Sequence, residues 1–274
     1  MIRCGRRSLI PFNVDMVCIM KFDPKACKVF TYWEGPKHPF TDLCISSIQT
    51  VFGDRHIHLS DNTLKDWIQV PCGILETKHL IFRSDYVRTK LLEAYGGWWF
   101  DCDVLLWKDP TELVTFDTPS IWNLIYFWEH RWQPLINCGI VFSPPESPWI
   151  RRISHDFDKV DALSFDIVTL ENEDIGQQIF EQHSYGHDDV AIGHHHIFNS
   201  TTNVNADFWP FVDGRIRLET AQYGLHVGAS LSRWARENGN YQATQLLSAQ
   251  SIDDVCRLFP QSVYAQYYHK YIKT

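Results

Sequence analysis

Hydrophobic and polar positions change their period several times along the chain, and each change predicts an element. Lys28 to Trp33 is a run of β-branched and aromatic residues that stops at Glu34-Gly35-Pro36, a strand followed by a turn. From Pro39 to Phe52, the residues Phe40, Leu43, Cys44, Ser47, Ile48 and Val51 recur at three- and four-residue spacing, which predicts a helix. His56-Ile57-His58-Leu59 alternates as a second strand, and Ser60-Asp61 opens a short helix carrying Leu64, Trp67 and Ile68. A longer helix is expected from about Thr77 to Tyr95, closed by Gly96-Gly97, with Trp98-Trp99-Phe100 as the third strand. Beyond Pro110 the pattern weakens to short strands near Ile121 and Ile140. Helices are expected from Pro148 to about Val160 and from about Gly176, and the tail reads as mixed and helical. Strands alternating with helices predict an α/β layered fold with a parallel sheet. No repeat or low-complexity linker interrupts the 274 residues, so a single domain is expected.

Composition narrows the partners. Hydrophobic residues make up 45% of the chain and charged residues 21%, enough for a large core. Lys plus Arg is 25 against 33 Asp plus Glu, a net charge of −8, which argues against nucleic acid as a partner and leaves room for a local basic pocket. The 11 tryptophans imply a thick core, stacking surfaces for rings, or both. No apolar run approaches the ~20 residues of a transmembrane segment. Pro11, Asn13 and Asp15 break the apolar stretch after Arg3, Arg6 and Arg7, against a signal peptide. The 8 cysteines form no CxxC pair, so a soluble, cytoplasmic protein with reduced thiols is expected.

The candidate chemistry centres on Asp101-Cys102-Asp103. Alternation along an extended chain puts both carboxylates on one side and Cys102 on the other. Two hard carboxylates at a strand end suit an oxygen-preferring ion, Mn²⁺ or Mg²⁺, whose shell substrate phosphates complete. Such a pair alone is equally at home in a solvated turn. Upstream, Asp85 and Arg88 lie three apart on one helix face, either as a surface ion pair or as an acid and a guanidinium gripping a ligand. The His194-His195-His196 run is read as a loop or strand feature, because consecutive residues cannot converge on one ion.

Ser84-Asp85, Arg88, Leu91-Leu92 and Gly96-Gly97-Trp98-Trp99-Phe100-Asp101-Cys102-Asp103 together resemble the sugar-binding motif of nucleotide-sugar-dependent glycosyltransferases. That group includes capsular polysaccharide synthesis transferases, yeast-type initiating mannosyltransferases and the glucosyltransferase domains of large clostridial toxins. Tyr32-Trp33-Glu34-Gly35, His38-Pro39-Phe40, Leu43-Cys44-Ile45 and Ser60-Asp61-Asn62 are particularly similar to the capsular branch. The resemblance covers about Lys28 to Pro110 and extends loosely to Trp234. It implies a GT-A fold, a single Rossmann-like α/β domain with a central, mostly parallel sheet flanked by helices. Residues of about 25–110 would form the nucleotide-sugar half, about 111–240 the acceptor half and about 241–274 a helical tail. Trp33 would stack on the base, and Asp85 and Arg88 would orient the ribose and donor sugar. Asp103 would ligate the metal, with Asp101 reaching the ribose or a metal-bound water.

Tyr223 to Trp234 resembles the C-terminal signature of metal-dependent members, which implies His226 as a third metal ligand and Arg233 as a phosphate clamp assisted by Ser230 or Ser232. Asn137 resembles the asparagine of an acceptor-side strand motif, and also fits a turn cap. Glu173 and Asp174 fall in a segment similar to a helix opening near the reacting sugar, though Ile175 and Gln177 depart from the relatives' Thr and Pro. Asp174, Glu173 and Asp188 are the candidate catalytic acids, with helix-dipole stabilisation as the other explanation of the first two. Trp122, Trp128, Trp132 and Trp149 are core or acceptor platform. The function expected is transfer of a sugar from a nucleoside diphosphate donor, UDP favoured, to a glycan acceptor. A carbohydrate-binding protein without catalysis and a metal-dependent phosphoryl transferase or hydrolase are the alternatives.

Overall fold

The apolar run after Lys28 forms a strand, β1 (Val29–Tyr32), in which all four residues are buried. This computed structural model describes residues 22–77, 79–115, 117–125, 135–160, 175–193, 197–198, 214, 216–227, 236–237 and 239–273. The helix α1 (Pro39–Phe52) begins at a proline, whose fixed φ suits a first helical turn, and ends at Gly53. Next come β2 (His56–Leu59), α2 (Asp61–Leu64), α3 (Cys72–Glu76), α4 (Leu80–Tyr95) and β3 (Gly97–Phe100). The bounds of α1 and β2 coincide with those read from periodicity. The helix expected from Thr77 starts at Leu80, and α3 was not anticipated because Pro71 and Gly73 punctuate it.

The main sheet has the order β2-β1-β3-β6-β5-β7, with β5 (Ser120–Ile125), β6 (Leu135–Ser143) and β7 (Ala191–Ile192). β1 runs parallel to β2 and β3, and β5 to β7, whereas β6 is antiparallel to both β3 and β5. The sheet is mostly parallel as expected, in three of its five pairings, with β6 the antiparallel strand. Helices α5 (Pro148–Asp158) and α6 (Ile175–Ser184) pack with α4 on one face, against Phe30, Trp99 and Val141. On the other face Val29, Trp98 and Phe100 meet Ile48 and Phe52 of α1 and also Phe198 and Tyr223. Burial on both faces is why these strands read as unbroken apolar runs. Trp98, Trp99, Trp122 and Trp149 are all buried, which makes the described tryptophans of the acceptor group core residues.

Gly96 and Gly97 have φ of 62° and 102°, and a Cβ on Gly97 would lie 2.2 Å from the Lys28 carbonyl oxygen. Glycine is required here because the turn from α4 into β3 has left-handed backbone pressed on β1. A second, two-stranded sheet pairs β4 (Val104–Leu106) antiparallel with β8 (Gly224–His226). It packs with Phe40, Leu43 and Cys44 of α1 and with three C-terminal helices, α7 (Tyr241–Ser248), α8 (Ile252–Leu258) and α9 (Val263–Tyr267). Among the described residues, no helix is long and apolar enough to cross a membrane. The six described cysteines are free thiols, five of them buried. The N-terminal stretch weighed as a leader and the His194–His196 run lie outside the described residues, as do Trp128 and Trp132.

Candidate active site

Where β3 ends, the chain turns through Asp101, Cys102 and Asp103 into β4. The Asp101 amide donates to the Gly139 carbonyl at 2.7 Å and the Val104 amide to the Asp101 carbonyl at 3.0 Å, so the segment is a turn, not the extended strand end assumed from alternation. The two aspartates still converge. Cys102 points away, its thiol donating to the Tyr32 carbonyl at 3.3 Å. The small sheet delivers the third residue: Val104 pairs with His226, and the Val227 amide donates to the Asp103 carbonyl at 3.0 Å. One ligand atom from each of Asp101, Asp103 and His226 lies within 4.8 Å of the others. His226 Nε2 is 3.0 Å from Asp103 Oδ1. Burial opposes charge on His226, but Asp103, and then Asp101, outweigh it and raise its pKa above the usual histidine value.

Beside this cluster lies a buried guanidinium. Arg88 Nη2 bridges Asp85 Oδ1 and Asp101 Oδ1, each at 2.9 Å, and Trp99 Nε1 donates to the same Asp101 oxygen at 2.7 Å. The guanidinium carbon sits 5.1 Å from the centroid of Trp99 and 5.6 Å from that of Phe180. Burial works against the Arg88 charge, and the neighbouring Asp101, Cys138 and Asp85 overcome it, so its pKa is raised. Its Nε and Nη1 groups are buried without an acceptor among the described residues. Unpaired buried donors are costly, which makes this guanidinium an unusual core group beside the cluster.

Asp85 is equally enclosed. Its side chain is 3% exposed, Cys138 Sγ approaches Oδ1 at 3.6 Å, and a Cβ on Gly176 would lie 2.0 Å from Oδ2. Only glycine at the start of α6 allows this packing. Gly176 and Trp99 both fall inside the motif segments, but their contacts with Asp85 and Asp101 were not read from them. The double-glycine approach to Asp101 was visible in the sequence, but nothing local marks Gly176 as the partner of Asp85.

Trp33 follows β1, half-buried, with its indole N–H within 3.2 Å of the Gly35 carbonyl oxygen and 3.3 Å of that of Pro36. Next to it Asp61 receives hydrogen bonds from Tyr32 and, at 2.6 Å, from Arg83, while its amide donates to Glu34 at 3.0 Å. Asn137 pairs with Asn123 in the β5–β6 ladder; its side chain lies outside the described set. Asp188 is exposed in the turn after α6, where the adjacent Asp189 forms a two-pronged pair with Arg152 at 2.8 and 2.9 Å. Glu173, Asp174, Ser230, Ser232 and Arg233 lie outside the described residues. The structure thus brings together Asp85, Arg88, Asp101, Asp103 and His226.

A protein-family model matches this part of the chain. Its description is capsular polysaccharide synthesis protein, and it covers residues 25–122. The matched stretch holds Trp33, Asp85, Arg88, Asp101 and Asp103 and stops before His226. Among solved structures, the apo form of the glycosyltransferase GlyE from Streptococcus pneumoniae TIGR4 aligns with a TM-score of 0.43 and 11% identity. That alignment covers 74% of this chain and 54% of GlyE, so the chain spans about half of that protein. No curated protein matches.

Proposed function

We propose that the chain is a metal-dependent glycosyltransferase of GT-A type that moves a sugar from a nucleoside diphosphate donor, UDP-linked, to a glycan acceptor in polysaccharide synthesis. The observation that carries this reading is the Asp101, Asp103 and His226 cluster set against a buried Arg88 with two unsatisfied N–H groups. The description of the matching family model, capsular polysaccharide synthesis, supports it. Among the described residues there is one such cluster, which favours a single ion over the paired metals of a phosphoryl hydrolase.

Two carboxylates and an imidazole fit Mn²⁺, and fit Mg²⁺ less well, because Mg²⁺ prefers an all-oxygen shell. When bound, the ion supplies Lewis-acid charge compensation for the leaving diphosphate. The chain's own residues do the rest. Trp33 offers a ring face to the base. Arg88, fixed between Asp85 and Asp101, orients the ribose and donor sugar together with Asp85, which holds that guanidinium in place. Arg233, with Ser230 or Ser232, is the proposed phosphate clamp, Asn137 the proposed acceptor-side residue, and Asp174, Glu173 or Asp188 the proposed group for the acceptor proton.

Calorimetric titration with Mn²⁺ at several pH values tests the metal assignment. His226 holds its proton to a higher pH than free histidine, and the metal needs neutral imidazole. Apparent Mn²⁺ affinity is therefore expected to rise as pH climbs through the raised pKa and to level off above it, with proton release to the buffer. Absence of Mn²⁺ binding, or an affinity flat across that window, contradicts the assignment.

A further inference from the structure

β3 carries two adjacent tryptophans through the core, one on each face of the main sheet. Trp98 and Trp99 are both fully buried. Trp98 packs against Phe100 and Phe142 on the α1 side, and Trp99 lies in the cluster formed with α4 and α6 on the other. Their indole N–H groups fare differently. Trp98 Nε1 is buried with no acceptor among the described residues. Trp99 Nε1 donates to Asp101 Oδ1 at 2.7 Å, a direct contact with the cluster of Asp101, Asp103 and His226.

The same oxygen takes a second donor, Arg88 Nη2 at 2.9 Å. A carboxylate oxygen carries two lone pairs, so these two hydrogen bonds fill Oδ1 and leave Oδ2 as the atom of Asp101 that can coordinate. Arg88 by itself would hold the carboxylate less firmly, because its Nη2 is shared with Asp85 Oδ1, also at 2.9 Å. Trp99 adds a donor that Asp85 does not share, and its ring centroid lies 5.1 Å from the guanidinium carbon. It therefore acts on Asp101 directly through its N–H and indirectly through the cation its ring supports. The backbone is fixed as well, by the bond from the Asp101 amide to the Gly139 carbonyl. With 28% of its side chain exposed, Asp101 would have rotamer freedom without these bonds, and ordering it at the moment of metal binding would cost affinity.

We propose that Trp99 is a positioning residue of the metal centre: its indole N–H, together with Arg88, occupies Asp101 Oδ1 and commits Oδ2 alone to the ion shared with Asp103 and His226. This rests on the metal reading above, and it gives a core tryptophan a part in setting metal affinity. Outer hydrogen bonds to a ligating side chain are worth about 10–100-fold in affinity.

Two matched substitutions in the full chain test this. Trp99→Phe keeps an aromatic ring beside Arg88 and removes the N–H, and Trp98→Phe makes the same change one residue away, where the N–H bonds nothing described. Calorimetric titration with Mn²⁺ should show affinity about tenfold weaker in Trp99→Phe and unchanged in Trp98→Phe. Wild-type affinity in Trp99→Phe overturns the proposal. So does an equal loss in both variants, which would assign the effect to packing around β3. Should Trp99→Phe fail to fold, the indole ¹⁵N–H resonances of the wild-type chain read the same contact. Saturation with Mg²⁺, a diamagnetic ion, should shift the Trp99 resonance and leave that of Trp98 in place, and a stationary Trp99 resonance overturns the proposal. A wild-type chain that binds neither ion overturns the metal reading itself, and the role of Trp99 with it.

Discussion

Asp103→Ala is expected to abolish Mn²⁺ binding and to lower metal-dependent donor turnover by on the order of 10³-fold, the scale seen when a preorganised charge partner is removed from a reaction centre. The loss is in chemistry, not in the fold. Asp103 sits in a turn whose backbone bonds, to Val227 from its carbonyl and between Val104 and Asp101, are independent of its side chain. Removing the carboxylate also takes away the group that raises the His226 pKa, so the imidazole should titrate at a lower pH in the variant. Calorimetry with Mn²⁺ and a histidine-resolved NMR titration read the two effects separately. Wild-type Mn²⁺ affinity in Asp103→Ala would remove this residue from the metal set.

Arg88→Met acts through stability. It leaves Asp85, with 3% of its side chain exposed, and Asp101 without their shared cation, and stranding one partner of a buried ion pair costs about 3–5 kcal/mol. Lysine recovers only part of this, since one ammonium cannot reproduce a planar guanidinium held between Trp99 and Phe180. The double variant Arg88→Met with Asp85→Leu should be more stable than Arg88→Met alone, because it removes the stranded charge as well. Denaturant unfolding of the three chains measures these differences. A loss under 1 kcal/mol for Arg88→Met would mean that the guanidinium is far better solvated than its burial implies.

Much of this site was legible because the part of it that lies between α4 and β4 is local. Asp85 and Arg88 share one helical face, and Gly96-Gly97 joins that helix to the strand that ends at Asp101. Helical spacing with a proline start and a glycine stop fixed α1 to the residue for the same reason. What escaped is non-local. β4 and β8 are three residues each, too short to show a period, so nothing in their own patterns announces the ladder that carries His226 to Asp103. The family resemblance supplied that histidine instead. The antiparallel course of β6 was hidden likewise, because a strand buried on both faces reads the same in either direction. Gly176 registered as a helix start, and its closeness to Asp85 depends on how α6 packs on α4. Thr31 in an apolar strand and His56 and His58 alternating in its neighbour likewise show no partner until the β1–β2 register brings them together.

The most direct test of the central claim is to incubate the full chain with a panel of nucleotide sugars and Mn²⁺, without acceptor, and to follow release of the nucleoside diphosphate. The expected result is slow hydrolysis of at least one UDP-sugar that stops when the metal is chelated and resumes when Mn²⁺ is restored. Complete inertness toward every donor in the panel at saturating Mn²⁺ would contradict the account.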